Sequence, residues 1–257
     1  MIIKRFVSLF RTTGFKIIAF AALLATSVLI ALAMLLGNEA GQFVIRVRDD
    51  SLAKSIAVTT DVENKDSYSA TLEAPGMTGM ADYTAKYFVK LGYNDLDEIT
   101  ADSGLYTKEG STLYAYTFYI VNTTPDGSNV GVDISMNYSK VTKNVDKVIR
   151  VMTYAYSSTE STPEIYQAAE EEESNIDYVR DAGYVIEPTL FKSEDTASGV
   201  VFDDQHYTIG STASESETKI NHLKYSVFFW LEGNDPECNE EIMGGTIKFD
   251  LTVAVSM

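Results

Sequence analysis

The segment Glu232-Gly-Asn-Asp-Pro-Glu-Cys-Asn-Glu-Glu241 gathers five carboxylates into ten residues. Hard oxygen donors on a turn rich in Asn, Asp and Gly are what Ca²⁺ takes, which makes Glu232, Asp235, Glu237 and Asn239 the candidate metal ligands. The spacing departs from an EF-hand loop, which needs alternating Asp/Asn, a central Gly and a distal Glu. The same residues also suit a second role without metal: a rigid Asp-Pro turn whose carboxylates accept backbone N–H bonds and otherwise face water. Cys238, inside this segment, is the only cysteine. A lone cysteine reads as a small buried hydrophobe.

Elsewhere the chemistry is sparse. The two histidines, His206 and His222, are too isolated in sequence for a zinc site. The sequence has no G-x-S-x-G elbow, H-E-x-x-H pair or phosphate-cradling P-loop. The neighbouring acids Asp49-Asp50 and Asp203-Asp204 do not make a glycosidase pair, because adjacent residues of a regular strand point to opposite faces. No catalytic residues and no bound cofactor are expected, Ca²⁺ at the acidic loop being the one cofactor considered. Trp230, the single tryptophan, offers either an aromatic platform for a sugar or a core anchor.

Strands must position these groups. Val130, Val132, Ile134, Met136 and Tyr138 alternate with Gly131, Asp133, Ser135 and Asn137, the period-two signature of a half-buried strand. Ile247, Phe249, Leu251, Val253 and Val255 repeat it against Thr246, Lys248, Asp250 and Thr252. Further strands are expected at 43–48, 55–60, 114–122, 149–156, 199–203 and 225–232, all rich in Tyr, Phe, Val, Ile and Thr. Large residues on both faces of 225–232 predict a central strand, with the opposing sheet on one side and a loop or helix on the other. Thr124-Pro125-Asp126-Gly127 predicts a hairpin over 114–138. Thr162 and Pro163 predict a helix over 163–173, and Gly92 closes a second over 80–91. The fold class expected is all-β: an antiparallel β-sandwich, Ig-like or jelly-roll-like, with few short helices.

The uncharged stretch 17–36 follows Lys4, Arg5, Arg11 and Lys16. Twenty residues of helix reach roughly 30 Å, the thickness of a bilayer core, and cations on the N-terminal side keep that side in the cytoplasm. The expected organisation is a cytoplasmic basic tail at 1–16, a transmembrane helix at 17–36 and an extracytoplasmic β-sandwich domain at 40–257. The competing reading is a cleaved export signal, with Ala31 and Ala33 forming an A-x-A site, which would leave a secreted domain. The part beyond residue 36 keeps all 37 acids and 16 of the 20 bases, a formal −21. Nucleic acid and anionic lipid headgroups are poor partners for such a surface. An exported domain with one cysteine relies on no internal disulfide, which fits a Gram-positive exterior.

Four segments together resemble an uncharacterised Firmicutes-type family of N-terminally anchored extracytoplasmic proteins. They are Gly41-Gln-Phe-Val-Ile-Arg-Val47, Ala115-Tyr-Thr-Phe-Tyr-Ile-Val-Asn122, Lys143-Asn-Val-Asp-Lys-Val-Ile-Arg-Val151, and Phe229-Trp-Leu-Glu-Gly-Asn-Asp-Pro-Glu-Cys238 with Gly244-Gly245 after it. The resemblance implies a β-sandwich and no defined activity. A looser architectural similarity is to camelysin- and TasA-type surface proteins, whose sandwich subunits build extracellular fibres.

The expected function is therefore a membrane-anchored structural or interaction protein of the cell surface, without catalysis. Its partners are the membrane through 17–36, and either further copies of itself or another envelope protein. Self-association would follow if the last strand, 246–255, lay at a sheet edge. The alternative is a Ca²⁺-dependent module that binds wall polysaccharide or protein.

Overall fold

Alternation in the sequence becomes burial in the structure, a computed structural model that describes residues 42–49, 56–76, 80, 82–83, 93–106, 113–126, 128–156, 163–169, 178–180, 184–195, 197–210 and 221–256. The chain divides at Ala40/Gly41, and all described residues belong to the second unit. The expected span 17–36, the basic tail and the Ala31–Ala33 cut lie outside the described residues. Among those that are described, no helix is long and apolar enough to cross a membrane.

The fold is predominantly β, built on two large sheets. In the first the order is β13 (Ser193–Asp195), β14 (Ser198–Ile209), β7 (Val130–Ser139), β16 (Lys248–Val255), β1 (Phe43–Val47) and β3 (Thr71–Ala74). In the second it is β12 (Thr189–Leu190), β9 (Glu164–Gln167), β8 (Ile149–Tyr156), β15 (His222–Glu232), β6 (Tyr114–Asn122) and β2 (Ile56–Thr59). Two short strands, β4 (Asp82–Tyr83) and β5 (Gly104–Leu105), add to β15 and β6, and β10 (Tyr178–Arg180) pairs with β11 (Tyr184–Ile186). Most ladders are antiparallel, but β1–β16, β9–β12 and β4–β15 are parallel. Both large sheets are thus mixed, which corrects the expectation of an antiparallel fold: a period-two pattern is the same whichever way the neighbour runs.

The inner faces of the two sheets meet in one apolar cluster. Phe43 and Phe249 of the first sheet lie 5.2 and 4.6 Å, ring to ring, from Phe229 of the second. Val130, Val132, Ile134, Met136 and Tyr138 are all buried, as their alternation requires. Trp230 is fully buried and faces the other way, with Phe228, Met152, Tyr154 and Leu113. The helix α1 (Tyr93–Ile99) supplies Leu96 and Ile99 to that outer cluster. Strand β15 is therefore central, with both faces covered, and Trp230 is a core anchor.

Several local expectations are overturned. β6 and β7 belong to different sheets, so 114–138 is a sheet-to-sheet corner and not a hairpin. Asn122 sets that corner: its amide donates to the Ser128 carbonyl at 2.7 Å, and its carbonyl oxygen accepts from Thr124 N–H at 3.0 Å. β16 is paired on both sides, with β7 and β1, so the last strand offers no edge for strand addition. The expected helix at 163–173 is strand β9 over its described first part, because Ile165 faces the outer cluster and Tyr166 the inner one. Of the expected helix at 80–91, Asp82 and Tyr83 form β4, and 84–91 lie outside the described residues. A single helical turn, α2 (Val145–Val148), precedes β8.

The chain steps between the sheets again after β12. Phe191, buried, donates its N–H to the Gln167 carbonyl of β9 at 2.7 Å, and Lys192 donates to Val201 of β14 at 3.3 Å. One dipeptide thus joins the two sheets at one side of the fold.

Candidate functional site

The four candidate ligands in the acidic loop do not act together. Asp235 turns inward onto Arg150 of β8, Oδ2 to Nη2 2.7 Å, with side chains 1% and 0% exposed. Its second oxygen accepts the Glu237 N–H at 2.8 Å. Arg150 also donates to the Lys147 carbonyl at 3.1 Å. Glu232, fully buried, accepts from the Trp230 indole N–H at 3.0 Å, and the Asn234 N–H lies 3.4 Å from its other oxygen. Asn239 caps the short 3-10 turn Glu240–Ile242 through the Glu241 N–H at 2.9 Å. Cys238 is half-buried against the inner core.

Among the described residues no three His, Cys, Asp or Glu side chains are grouped so as to hold a metal ion. The loop is a turn whose carboxylates accept backbone N–H bonds, as the metal-free reading has it, but Asp235 and Glu232 are buried where that reading leaves them facing water. What the sequence conceals is Arg150. A lone charge in a strand carries no mark of the partner it meets.

A second site lies where β9 and β12 of one sheet approach β14 of the other. Glu164, Tyr166, Thr189, Asp204, Gln205, His206 and Tyr207 line a cleft of about 400 Å³, within the range of ligand pockets. A bulge in β14 creates it. The β14–β7 register slips between Phe202 and Gln205, so Asp203 and Asp204 are both exposed while Gln205 turns inward. This corrects the expectation that Asp203 and Asp204 point to opposite faces. Asp203 pairs with Lys192. Asp204 has no hydrogen-bond or ion-pair partner among the described residues.

Gln205 ties the floor together. Its amide nitrogen donates to Thr153 Oγ1 at 2.8 Å and lies 2.8 Å from Glu164 Oε2 and 2.9 Å from Tyr166 Oη. Its carbonyl accepts from the Tyr225 hydroxyl, and the Tyr166 hydroxyl donates to Glu164. Burial, then the hydrogen bond to Glu164 and its charge, hold the Tyr166 phenol far above its ordinary value, with Asp204 adding to the rise. Burial first and Glu164 second push Tyr207 up to about 12. Both phenols therefore stay neutral at physiological pH. The cleft presents hydroxyls beside two acidic residues.

At its rim, His206 meets Asp133 and Ser256. Asp133 Oδ1 lies 2.8 Å from His206 Nδ1, and Ser256 Oγ lies 2.9 Å from Asp133 Oδ1 and 3.1 Å from the same Nδ1. A nucleophile relay needs the carboxylate and the serine on opposite ring nitrogens. Sharing Nδ1, the three groups instead fasten the chain end to β7 and β14. The His206 bond is the main reason the Asp133 carboxyl titrates below its ordinary value.

No protein-family model, curated protein or solved structure matches this chain. The cleft residues come from three separate segments, brought together by the β14 bulge and by the approach of β9 and β12 to β14 at Phe191 and Lys192.

Proposed function

We propose that this chain is a membrane-anchored structural or interaction protein of the cell envelope, held by residues 17–36, whose outer β domain works by contact and not by chemistry. In this reading the two sheets form a sandwich in the broad Ig or jelly-roll manner, and the cleft between β9 and β14 is the contact site. The observation that carries it is the exposed Asp204, which has no hydrogen-bond or ion-pair partner among the described residues, beside Glu164 in a cleft of about 400 Å³ whose floor is fixed by the Gln205 hydrogen bonds. A rigid floor with a free charge at its mouth is pre-organised for a partner, which lowers the ordering cost of binding.

The resemblance to anchored extracytoplasmic proteins and the −21 charge beyond residue 36 support the same placement. The inward commitment of Asp235 and Glu232 favours this reading over the Ca²⁺-dependent one. The test is a photo-crosslinking amino acid at Thr189, which lines the cleft, on intact cells of the native host, with the same group at exposed Glu63 as control. A discrete adduct from Thr189 and none from Glu63 is expected. Equal adducts from both positions, or none from Thr189, would remove the cleft as a contact site.

A further inference from the structure

The cleft adjoins an open strand edge. On the side of β14 away from β7, β13 pairs only with Ser198–Val200, and Phe202–Ile209 have no strand partner there among the described residues. In an antiparallel ladder alternate residues turn their N–H and C=O groups away from the existing neighbour. Several backbone donors and acceptors of Phe202–Ile209 thus face out beside the cleft. An added strand satisfies such groups, and its side chains fall alternately into neighbouring pockets.

The charges decide what that strand carries. Glu164 and Asp204 are both acidic, Lys192 is engaged by Asp203, and His206 by Asp133. Among the described residues no lysine or arginine lines the cleft. Anionic groups are repelled from it, whereas an ammonium or guanidinium meets one carboxylate already fixed by two donors and a second that has no partner among the described residues. The phenols of Tyr166 and Tyr207, which line the cleft, stay neutral at physiological pH and add no competing charge.

We propose that an extended peptide segment adds to the open edge of β14 along Phe202–Ile209 and places a lysine or arginine side chain in the cleft against Glu164 and Asp204. This rests on the reading of the cleft as the contact site, and it names the ligand: a basic peptide in β conformation. The bulge at Asp203–Asp204 gives the edge both its specificity and its protection, since exposed charge on an edge strand discourages pairing with uncharged or acidic strands.

The test uses the full-length protein in nonionic detergent and a fluorescein-labelled probe, acetyl-Thr-Lys-Thr-Lys-Thr-Lys-Thr-amide, followed by fluorescence anisotropy. Saturable binding is expected, weakening as salt is raised. Asp204→Asn, which removes an exposed charge, is expected to raise Kd about fivefold or more without changing the melting temperature. Methylating alternate backbone nitrogens of the probe should weaken it similarly, because the ladder bonds are lost. The control Glu240→Gln/Glu241→Gln, on the exposed 3-10 turn, should leave Kd within about twofold. The proposal is overturned if the probe shows no saturable binding up to about 1 mM. Equal weakening by Asp204→Asn and by the control would also overturn it, as diffuse attraction to an acidic surface. A silent peptide together with a discrete Thr189 adduct would dismiss the basic peptide while leaving the contact site standing.

Discussion

At the scale of single residues, the strongest statement concerns Arg150 and Asp235. Two opposite charges, both essentially unexposed, meet at 2.7 Å beneath the acidic loop. Removing one partner from such a pair leaves the other charge buried and uncompensated, which costs about 3–5 kcal/mol. Asp235→Ala is therefore expected to destabilise the fold by that amount in denaturant titrations, whereas the double variant Arg150→Met/Asp235→Leu recovers most of the loss. A single-variant loss under about 1 kcal/mol would show that the pair holds little. The loop's carboxylates were legible in the sequence, and so was the turn chemistry of Asp235-Pro236. Their purpose was not, since the partner lies 85 residues away on another strand.

Elements were legible where alternation was clean. Strands β6 and β8 fall where their composition places them, and β7 and β16 keep the expected inward residues. Partner choice was illegible, because turn residues fix a bend and not the sheet to which the next strand belongs. Pro125-Asp126-Gly127 looked like a hairpin turn, but the Asn122 side chain makes it a corner between sheets. β14 was read as a strand of five residues and runs to twelve, since its bulge interrupts the alternation on which that reading rests.

The same strand contains a close cross-strand fit. Gly199 faces Tyr138 of β7, and a Cβ there would lie 2.4 Å from the Ser193 carbonyl oxygen and 2.5 Å from the Tyr138 ring. Gly199→Ala is expected to cost about 1–3 kcal/mol through that overlap. The Tyr138 hydroxyl is buried without a hydrogen-bond partner among the described residues, and burial is the chief cause of its raised pKa. Tyr138→Phe should accordingly be neutral or stabilising by about 1 kcal/mol, the ring packing being kept while an unsatisfied group is removed. Thermal unfolding of the two variants checks both, and a destabilising Tyr138→Phe would mean that the hydroxyl has a partner in solution.

At the scale of the whole molecule, the mixed sheets meet in an aromatic layer, and the outer face of the second is covered by Leu96, Ile99 and Leu113 around Trp230. The last strand is paired on both sides within its sheet and so offers no edge for strand addition, while the cleft lies at β9, β12 and β14. The predominance of strands was legible because strand composition and burial act locally. The cleft was not, because it depends on which two sheets the chain joins at Phe191 and Lys192.

Hydrogen–deuterium exchange of the full-length protein, with and without a solubilised envelope fraction from the native host, tests the contact reading most directly. The account predicts added protection over Glu164–Gln167 and Phe202–Ile209, with the acidic loop 232–241 unchanged. Protection confined to the loop, or to strands away from the cleft, would contradict it.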